Sequence, residues 1–374
     1  MFNYYQPTRI HFGAGRTNEI GSIAVKYGKK CLLVTTADAP LLELNNRVIG
    51  YLKESGLEVV HFDQVKPNPT KEIVQAGILQ AQEGDVDFIV AVGGGSSIDT
   101  AKAIAFTAKM DQVDWDSIFD TYSSHDVDYP STGLCLPILS IPTTSGTGSH
   151  VTQAAVISSG EEKLTFFHPD LFSKEAIIDP SLMTTLPLRM TSATAFDTFT
   201  HAFESYVNGR GSYYSKLDSV NAMELVIENL PKALEEPKSL VYRENLALAD
   251  TLGGKALANG GADTPHPLSE IIGGITNITH GDALAIVYPA YIKHTLNKHR
   301  VAFDAIAKMF DKSANATDLE RLVTDFLVTI NLNNKLSDYD VTDEQFEKIV
   351  NHPALNFLPF GSKDYFVAIL NDSK

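Results

Sequence analysis

Val86-Asp-Phe-Ile-Val-Ala-Val-Gly93-Gly-Gly-Ser-Ser-Ile-Asp-Thr-Ala-Lys102 joins an apolar, β-rich run to three consecutive glycines and then to a helix-forming segment. A strand that enters a glycine turn and continues as a helix offers backbone N–H groups and the positive end of the helix to an anion. Glycines allow a pyrophosphate to approach the backbone, which any side chain would hold away. The spacing is not G-x-G-x-x-G, and one glycine-rich turn is equally compatible with a purely structural bend. A second loop, Pro142-Thr143-Thr144-Ser145-Gly146-Thr147-Gly148-Ser149, follows the strand-like run 134–141 and carries hydroxyls suited to phosphate or ribose. Two such loops at the carboxyl ends of parallel strands point to a dinucleotide, bound where doubly wound sheets hold ligands.

Outward from this stretch, strand signals at 31–36 and 57–62 alternate with helical patterns at 41–55 and 71–83. Pro67-Asn68-Pro69-Thr70 breaks the chain, and Thr70 is placed to cap the second helix. Such alternation implies right-handed βαβ units and a parallel sheet covered on both faces. After Asp179-Pro180 and Pro187 the pattern changes to helix-length segments, at 190–208, 215–235, 239–258, 282–297, 301–312, 317–330, 342–351 and 363–371, with an exposed polar loop at 332–340. The expected organisation is an α/β, Rossmann-like nucleotide-binding domain over residues 1–182 and an all-helical, metal-binding domain over 183–374.

The chain has 374 residues, long enough for two domains with large cores. Its formal net charge of −16 disfavours nucleic acid and anionic membrane surfaces as partners. The two cysteines, Cys31 and Cys135, lie in apolar runs without C-x-x-C spacing, as expected of reduced thiols in a cytoplasmic protein. No 18-residue apolar run is present, so no membrane span is expected, and the first residues do not read as a signal peptide.

Asp197-Thr-Phe-Thr-His201 lies in a segment free of Gly and Pro that reads as helix. Residues four apart share a helix face, so the Asp197 carboxylate and the His201 imidazole converge. His266 and His280 are candidate partners. A continuous helix would hold them about 21 Å apart at 1.5 Å per residue, so a reversal is required, and Gly273-Gly274 is expected to supply it. One carboxylate and three imidazoles suit Zn²⁺ or Fe²⁺ and not Ca²⁺ or Mg²⁺.

As an ordered set, Phe12-Gly-Ala-Gly15, Pro67-Asn-Pro-Thr70, Gly93 to Lys102, Pro142 to Ser149, Asp179-Pro180, Asp197-x-x-x-His201 with Glu204, and His266 with His280-Gly281 resemble the iron-containing (group III) alcohol dehydrogenase family over nearly the whole chain. The resemblance implies a dehydroquinate synthase-like architecture, with metal ligands Asp197, His201, His266 and His280. It implies cofactor contacts from Asn68, Gly94, Gly95, Ser96, Thr143, Thr144, Thr147 and Lys163, the alternative for Lys163 being a solvated Glu-Glu-Lys turn. It also implies a cofactor, NAD or NADP, and one divalent metal, Fe(II) or Zn(II). The implied reaction interconverts a small primary alcohol or diol and its aldehyde by hydride transfer, in a homo-oligomer that is a dimer or larger.

This chain departs from the family in having His150 where Glu is common, Ala195 where Gly is common, and Glu270 where many alcohol-active members carry a second histidine. If that histidine relays a proton, Glu270 takes the role with a different intrinsic pKa, or water does. Thr36 and Asp38, after the first strand, leave NAD against NADP open. Rivals within the oxidoreductases resemble glycerol dehydrogenase or maleylacetate reductase. A dehydroquinate synthase-like lyase shares the architecture but needs several basic residues, and only Arg210 and Lys255 lie near the proposed ligands in sequence. A metal-dependent hydrolase, in which the glycines merely turn the chain, is the third class.

Overall fold

The computed structural model describes residues 2–125, 127–160 and 162–374. Met1 of the expected first domain and Glu161 of the expected Glu-Glu-Lys turn lie outside them. The chain divides into two compact units, 5–185 and 186–374, the second joined by residues 2–4.

In the first unit the order is β1 (Arg9–Phe12), α1 (Ile20–Ala24), β2 (Lys30–Thr36), α2 (Leu42–Glu54), β3 (Glu58–Val65), α3 (Lys71–Gly84), β4 (Phe88–Gly93), α4 (Gly95–Thr107), α5 (Trp115–Thr121), β5 (Ile138–Pro142), β6 (Ala154–Ser159), β7 (Glu162–Phe167) and β8 (Glu175–Ile178). Six strands form one sheet in the order β1-β8-β5-β4-β2-β3, every pair parallel. All of β4 is buried, because both faces are covered. Alternate side chains feed two cores: Leu32, Val34, Ile89 and Ala91 on one face, Cys31, Leu33, Phe88, Val90 and Val92 on the other. The order reverses at β2 and β4, with β3 to one side and β5 to the other. The turn Gly93–Gly95 therefore lies at the carboxyl edge of this switch point.

The structure corrects three strand expectations. The fourth strand starts at Ile138 rather than 134, because Pro137 has no N–H to give the ladder, although its carbonyl accepts from Ile89 N at 2.9 Å. Two four-residue parallel strands, β1 and β8, complete the sheet, and β1 is too short and exposed to show a pattern. The antiparallel hairpin β6–β7 forms a second, two-stranded sheet beside Gly160.

The second unit contains α6 (Leu188–Val207), α7 (Tyr213–Glu235), α8 (Leu240–Gly260), α9 (Pro265–Thr276), α10 (His280–Phe310), α11 (Leu319–Thr329), α12 (Asp343–Val350) and α13 (Lys363–Asp372), with no strand among its described residues. The expected helices at 282–297 and 301–312 are the two arms of α10, which meet at a kink where His299 has non-helical backbone. Helix α6 is buried nearly all round. Phe196, Phe199 and Phe203 pack into the apolar core against Tyr288, with ring centroids at 5.5, 6.4 and 5.3 Å. A second stripe, Asp197, His201 and Glu204, runs along another face of the same helix and is also buried.

Candidate metal centre

Burying Asp197, His201 and Glu204 on one helix is costly unless each charge and polar atom is matched. Helix α6 brings Asp197 and His201 together across one turn, with Asp197 Oδ1 3.5 Å from His201 Nε2. His266, in the first turn of α9, places Nε2 3.6 Å from the same oxygen. His280, the first residue of α10, places its Nε2 3.5 Å from it.

The chain reverses between His266 and His280, but not at Gly273-Gly274. Helix α9 passes through both glycines to Thr276 and stops at Asn277, whose φ of 61° is left-handed and whose N–H bonds Gly273 O at 3.0 Å. An interior glycine weakens a helix without ending it. The stop is set by the left-handed residue, and asparagine tolerates that region.

The donor set fits a small divalent cation. Asp197 Oδ1 and His266 Nε2 are buried, and neither has a hydrogen-bond partner among the described residues. With metal–donor bonds of about 2.1 Å, the edge of a tetrahedron is about 3.4 Å, close to the separations that radiate from Asp197 Oδ1. The donor atoms of Asp197, His201 and His266, all buried, lie within 4.8 Å of one another, whereas His280, 31% exposed, approaches Asp197 Oδ1 but stands outside that mutually close set, so the cluster is open on its His280 side. Burial works against the charge of Asp197, but the neighbouring His201 and His280 imidazoles outweigh it and hold its pKa far below the ordinary carboxylate range. Burial also opposes protonation of His266, yet the fields of Glu204 and Asp197 push it up to about 10. The buried Asp197 carboxylate thus demands positive charge at this point, which a divalent cation supplies.

Glu270 lies one turn after His266 on α9, half-buried and on the same helix face. Lys255 is tied to Asp218 at 3.0 Å and does not offer a free cation to a phosphorylated substrate.

In the first unit the two loops expected to hold a nucleotide are in contact. Thr143 N donates to Gly93 O at 3.0 Å. A Cβ on Gly94 would meet Thr144 Oγ1 at 3.1 Å, and one on Gly95 would meet Thr147 Cγ2 at 2.6 Å. Gly93 has a φ of 148°, and Ser96 lies half-buried in the first turn of α4. The Lys102 ammonium, fully buried, donates to Thr152 O at 2.9 Å, Thr152 Oγ1 at 3.1 Å and Ala154 O at 2.8 Å, tying α4 to the chain beyond the second loop. His150 is buried, and burial together with the Lys102 charge pushes its pKa down to about 3, so it is neutral. Asn68 is exposed with a φ of 54°, and Thr70 caps α3 by accepting from Ile73 N at 3.4 Å. Lys163 is half-buried on β7, opposite Ser158.

Glu204 and Ser269 bond the second ring nitrogens of His266 and His280, respectively. Glu204 stood in the sequence as part of a motif without a role, and Ser269 was not singled out. The spacing D-x-x-x-H-x-x-E, which keeps Glu204 on the Asp197 face, is the signal that could have assigned the former.

Residues 7–180 match the family model for iron-containing alcohol dehydrogenase, and residues 191–362 match that for the C-terminal region of the same family. A probable NADH-dependent butanol dehydrogenase 1 of Bacillus subtilis is 30% identical over 370 residues, covering 95% of this chain and 94% of that protein. The NAD-dependent methanol dehydrogenase of Bacillus methanolicus is 33% identical over 311 residues, 82% of this chain and 77% of that one. An archaeal halo-thermophilic alcohol dehydrogenase from a Red Sea brine pool superposes over 100% of this chain and 99% of its own, with a TM-score of 0.91 and 30% identity. With both halves matched and the sheet and helical units laid out as above, the chain belongs to the iron-containing alcohol dehydrogenase family.

Proposed function

We propose that this enzyme interconverts a small primary alcohol or diol and its aldehyde, using NAD or NADP and one divalent ion, Fe(II) or Zn(II), held by Asp197, His201, His266 and His280. The observation that carries the reading is the convergence of three imidazole Nε2 atoms on Asp197 Oδ1, with that oxygen and His266 Nε2 both buried and unbonded. When bound, the cation supplies Lewis acidity that lowers the pKa of the substrate hydroxyl, and the nicotinamide supplies the hydride partner.

The chain's own residues bind and orient. In this reading Gly94, Gly95 and Ser96 offer backbone N–H groups at the start of α4 to the pyrophosphate, and Asn68, Thr143, Thr144, Thr147 and Lys163 hold the rest of the cofactor. Asp197 supplies the one anionic ligand, and the exposed edge of His280 marks the side open to substrate. Glu270, on the His266 face of α9, moves the hydroxyl proton. A dimer or larger homo-oligomer belongs to the same reading and is tested by light scattering. Cytoplasmic placement is supported by two free cysteines, and among the described residues no helix is long and apolar enough to cross a membrane.

The test is metal analysis of anaerobically purified protein, with small aldehydes then offered alongside NADH and NADPH while the reduced-nicotinamide absorbance is followed. Decay of that absorbance only in metal-loaded protein is expected. Undiminished turnover after metal removal would refute the proposal.

A further inference from the structure

A histidine can ligate a cation through Nε2 only if its proton sits on Nδ1, so each cluster imidazole needs something at Nδ1 that accepts. Two of the three partners are visible. His266 Nδ1 lies 2.8 Å from Glu204 Oε1, and Glu204 is fully buried. The other Glu204 oxygen, Oε2, accepts from Asp263 N at 2.7 Å and faces no acceptor among the described residues, so a proton there would be left without a partner. That leaves Oε1 either as a carboxylate oxygen, accepting from His266 Nδ1–H, or as a hydroxyl donating to a bare Nδ1. The second arrangement would put the His266 proton on Nε2, which is buried and has no acceptor within hydrogen-bonding distance. The first keeps Nδ1–H on Glu204, so Nε2 is the nitrogen that presents its lone pair once a cation displaces any proton held there.

A neutral group does the same for His280. Ser269 Oγ has one proton, and it is given to His266 O at 2.7 Å. Toward His280 Nδ1, 3.1 Å away, the hydroxyl has only lone pairs left. His280 Nδ1 must then be the donor, and its Nε2 the bare nitrogen.

We infer that Glu204 and Ser269 are positioning residues that fix the tautomers of His266 and His280, so that both present an unprotonated Nε2 to the cation. This rests on the metal reading above. Both lie on the helices that carry the ligands, Glu204 on α6 with Asp197 and His201, Ser269 three residues after His266 on α9. The motifs D-x-x-x-H-x-x-E and H-x-x-S therefore encode ligand and orienting group together. They also give the two imidazoles unequal partners: Glu204 makes His266 the more basic ligand, whereas Ser269 leaves His280, on the open side, the weaker one.

The experiment titrates Zn²⁺ and Co²⁺ against a competing chelator into apo wild type and the variants Glu204→Gln, Glu204→Asp, Ser269→Ala and His266→Ala. Circular dichroism and melting temperature are followed, and the Co²⁺ d–d absorption is recorded. Glu204→Gln keeps the side-chain shape and removes the charge. It is expected to weaken metal binding by about 10- to 100-fold and to shift the Co²⁺ spectrum, with Glu204→Asp recovering part of the loss and Ser269→Ala losing less than Glu204→Gln. A lowered melting temperature with wild-type affinity and spectrum in both Glu204→Gln and Ser269→Ala would make these residues merely structural and overturn the inference. Wild-type affinity in folded His266→Ala would overturn the metal reading itself, and the inference with it.

Discussion

Asp197 Oδ1 and His266 Nε2 lie 3.6 Å apart, both buried and neither hydrogen-bonded to any described residue. Left as they are, each carries a desolvation penalty of about 1–3 kcal/mol, so a cation that satisfies both binds the folded state far better than the unfolded one. Metal-loaded protein is expected to melt higher than chelator-treated protein. At a free metal concentration 100 times the dissociation constant the gain is about 2.7 kcal/mol. Scanning fluorimetry with and without chelator, followed by restoration with Zn²⁺ or Fe²⁺, measures it. His266→Ala and His280→Ala are expected to lose the metal-dependent increment and turnover while retaining the wild-type circular dichroism.

Gly95 and Thr147 hold the two loops of the first unit at contact distance. Alanine at 95 would bring a Cβ to 2.6 Å from Thr147 Cγ2 and 3.0 Å from Thr147 Cβ. Threonine is stiff at χ1, so the second loop must move as backbone. Gly95→Ala is expected to weaken NADH or NADPH binding at least about tenfold, equivalent to about 1.4 kcal/mol, as read by nicotinamide fluorescence titration. Gly50→Ala is the control: it sits in α2, a Cβ there meets nothing within 4 Å, and binding is expected to be unchanged.

Much of this was legible in the sequence because β2 and β4 are continuous apolar runs closed by loops, the pattern of strands buried on both faces. Asp197 and His201 were legible because helical spacing alone brings them together. The reversal before His280 was not. Gly273-Gly274 is the stronger breaker by composition, and only the backbone shows that Asn277 takes the left-handed position. Strands β1 and β8 escaped because four residues carry too little periodicity, and their pairing depends on chain far apart in sequence. The orienting role of Ser269 depends on where its single proton goes, a property of the folded arrangement that residue order does not carry.

Asp179 joins the loop after β1 to the end of β8. It accepts from Gly15 N at 3.0 Å, Thr17 N at 3.1 Å, Thr17 Oγ1 at 2.8 Å, Ser181 N at 3.1 Å and Ser181 Oγ at 2.5 Å. Burial raises its pKa, but the bonds from Ser181, Gly15 and Thr17 prevail and hold it below the usual carboxylate range. A depressed carboxylate contributes its stability above the unfolded value, about 3.9, and loses it as pH falls through the folded one. Asp179→Asn is therefore expected to cost about 2–3 kcal/mol at pH 7, and the gap between wild type and variant should narrow below about pH 4. Urea denaturation at pH 7, 5 and 3.5 reads this. A gap that does not change with pH would mean that hydrogen-bond geometry, not charge, is what Asp179 provides.

Lys102 is another buried charge in this unit, and all three of its ammonium donors are used, on Thr152 O, Thr152 Oγ1 and Ala154 O. Burial pulls its pKa down to about 8, with Asp99 acting against that. Methionine fills similar volume but strands two carbonyls and leaves Asp99 without its cation. The expected loss is about 3–5 kcal/mol, as for one partner taken from a buried pair. Lys102→Arg should recover little of it, because a planar guanidinium cannot meet three acceptors arranged around one nitrogen. The pH dependence has the same sense as that of Asp179 but falls in an alkaline window. Unfolded lysine keeps its proton to about pH 10.4, so between pH 8 and that value the unfolded chain binds more protons, and this group makes stability rise with pH. Urea denaturation at pH 7, 8.5 and 9.5 should show that rising component in wild type and not in Lys102→Met. Identical slopes in the two proteins would show that Lys102 does not change its protonation there and that the clamp is held by hydrogen bonds alone.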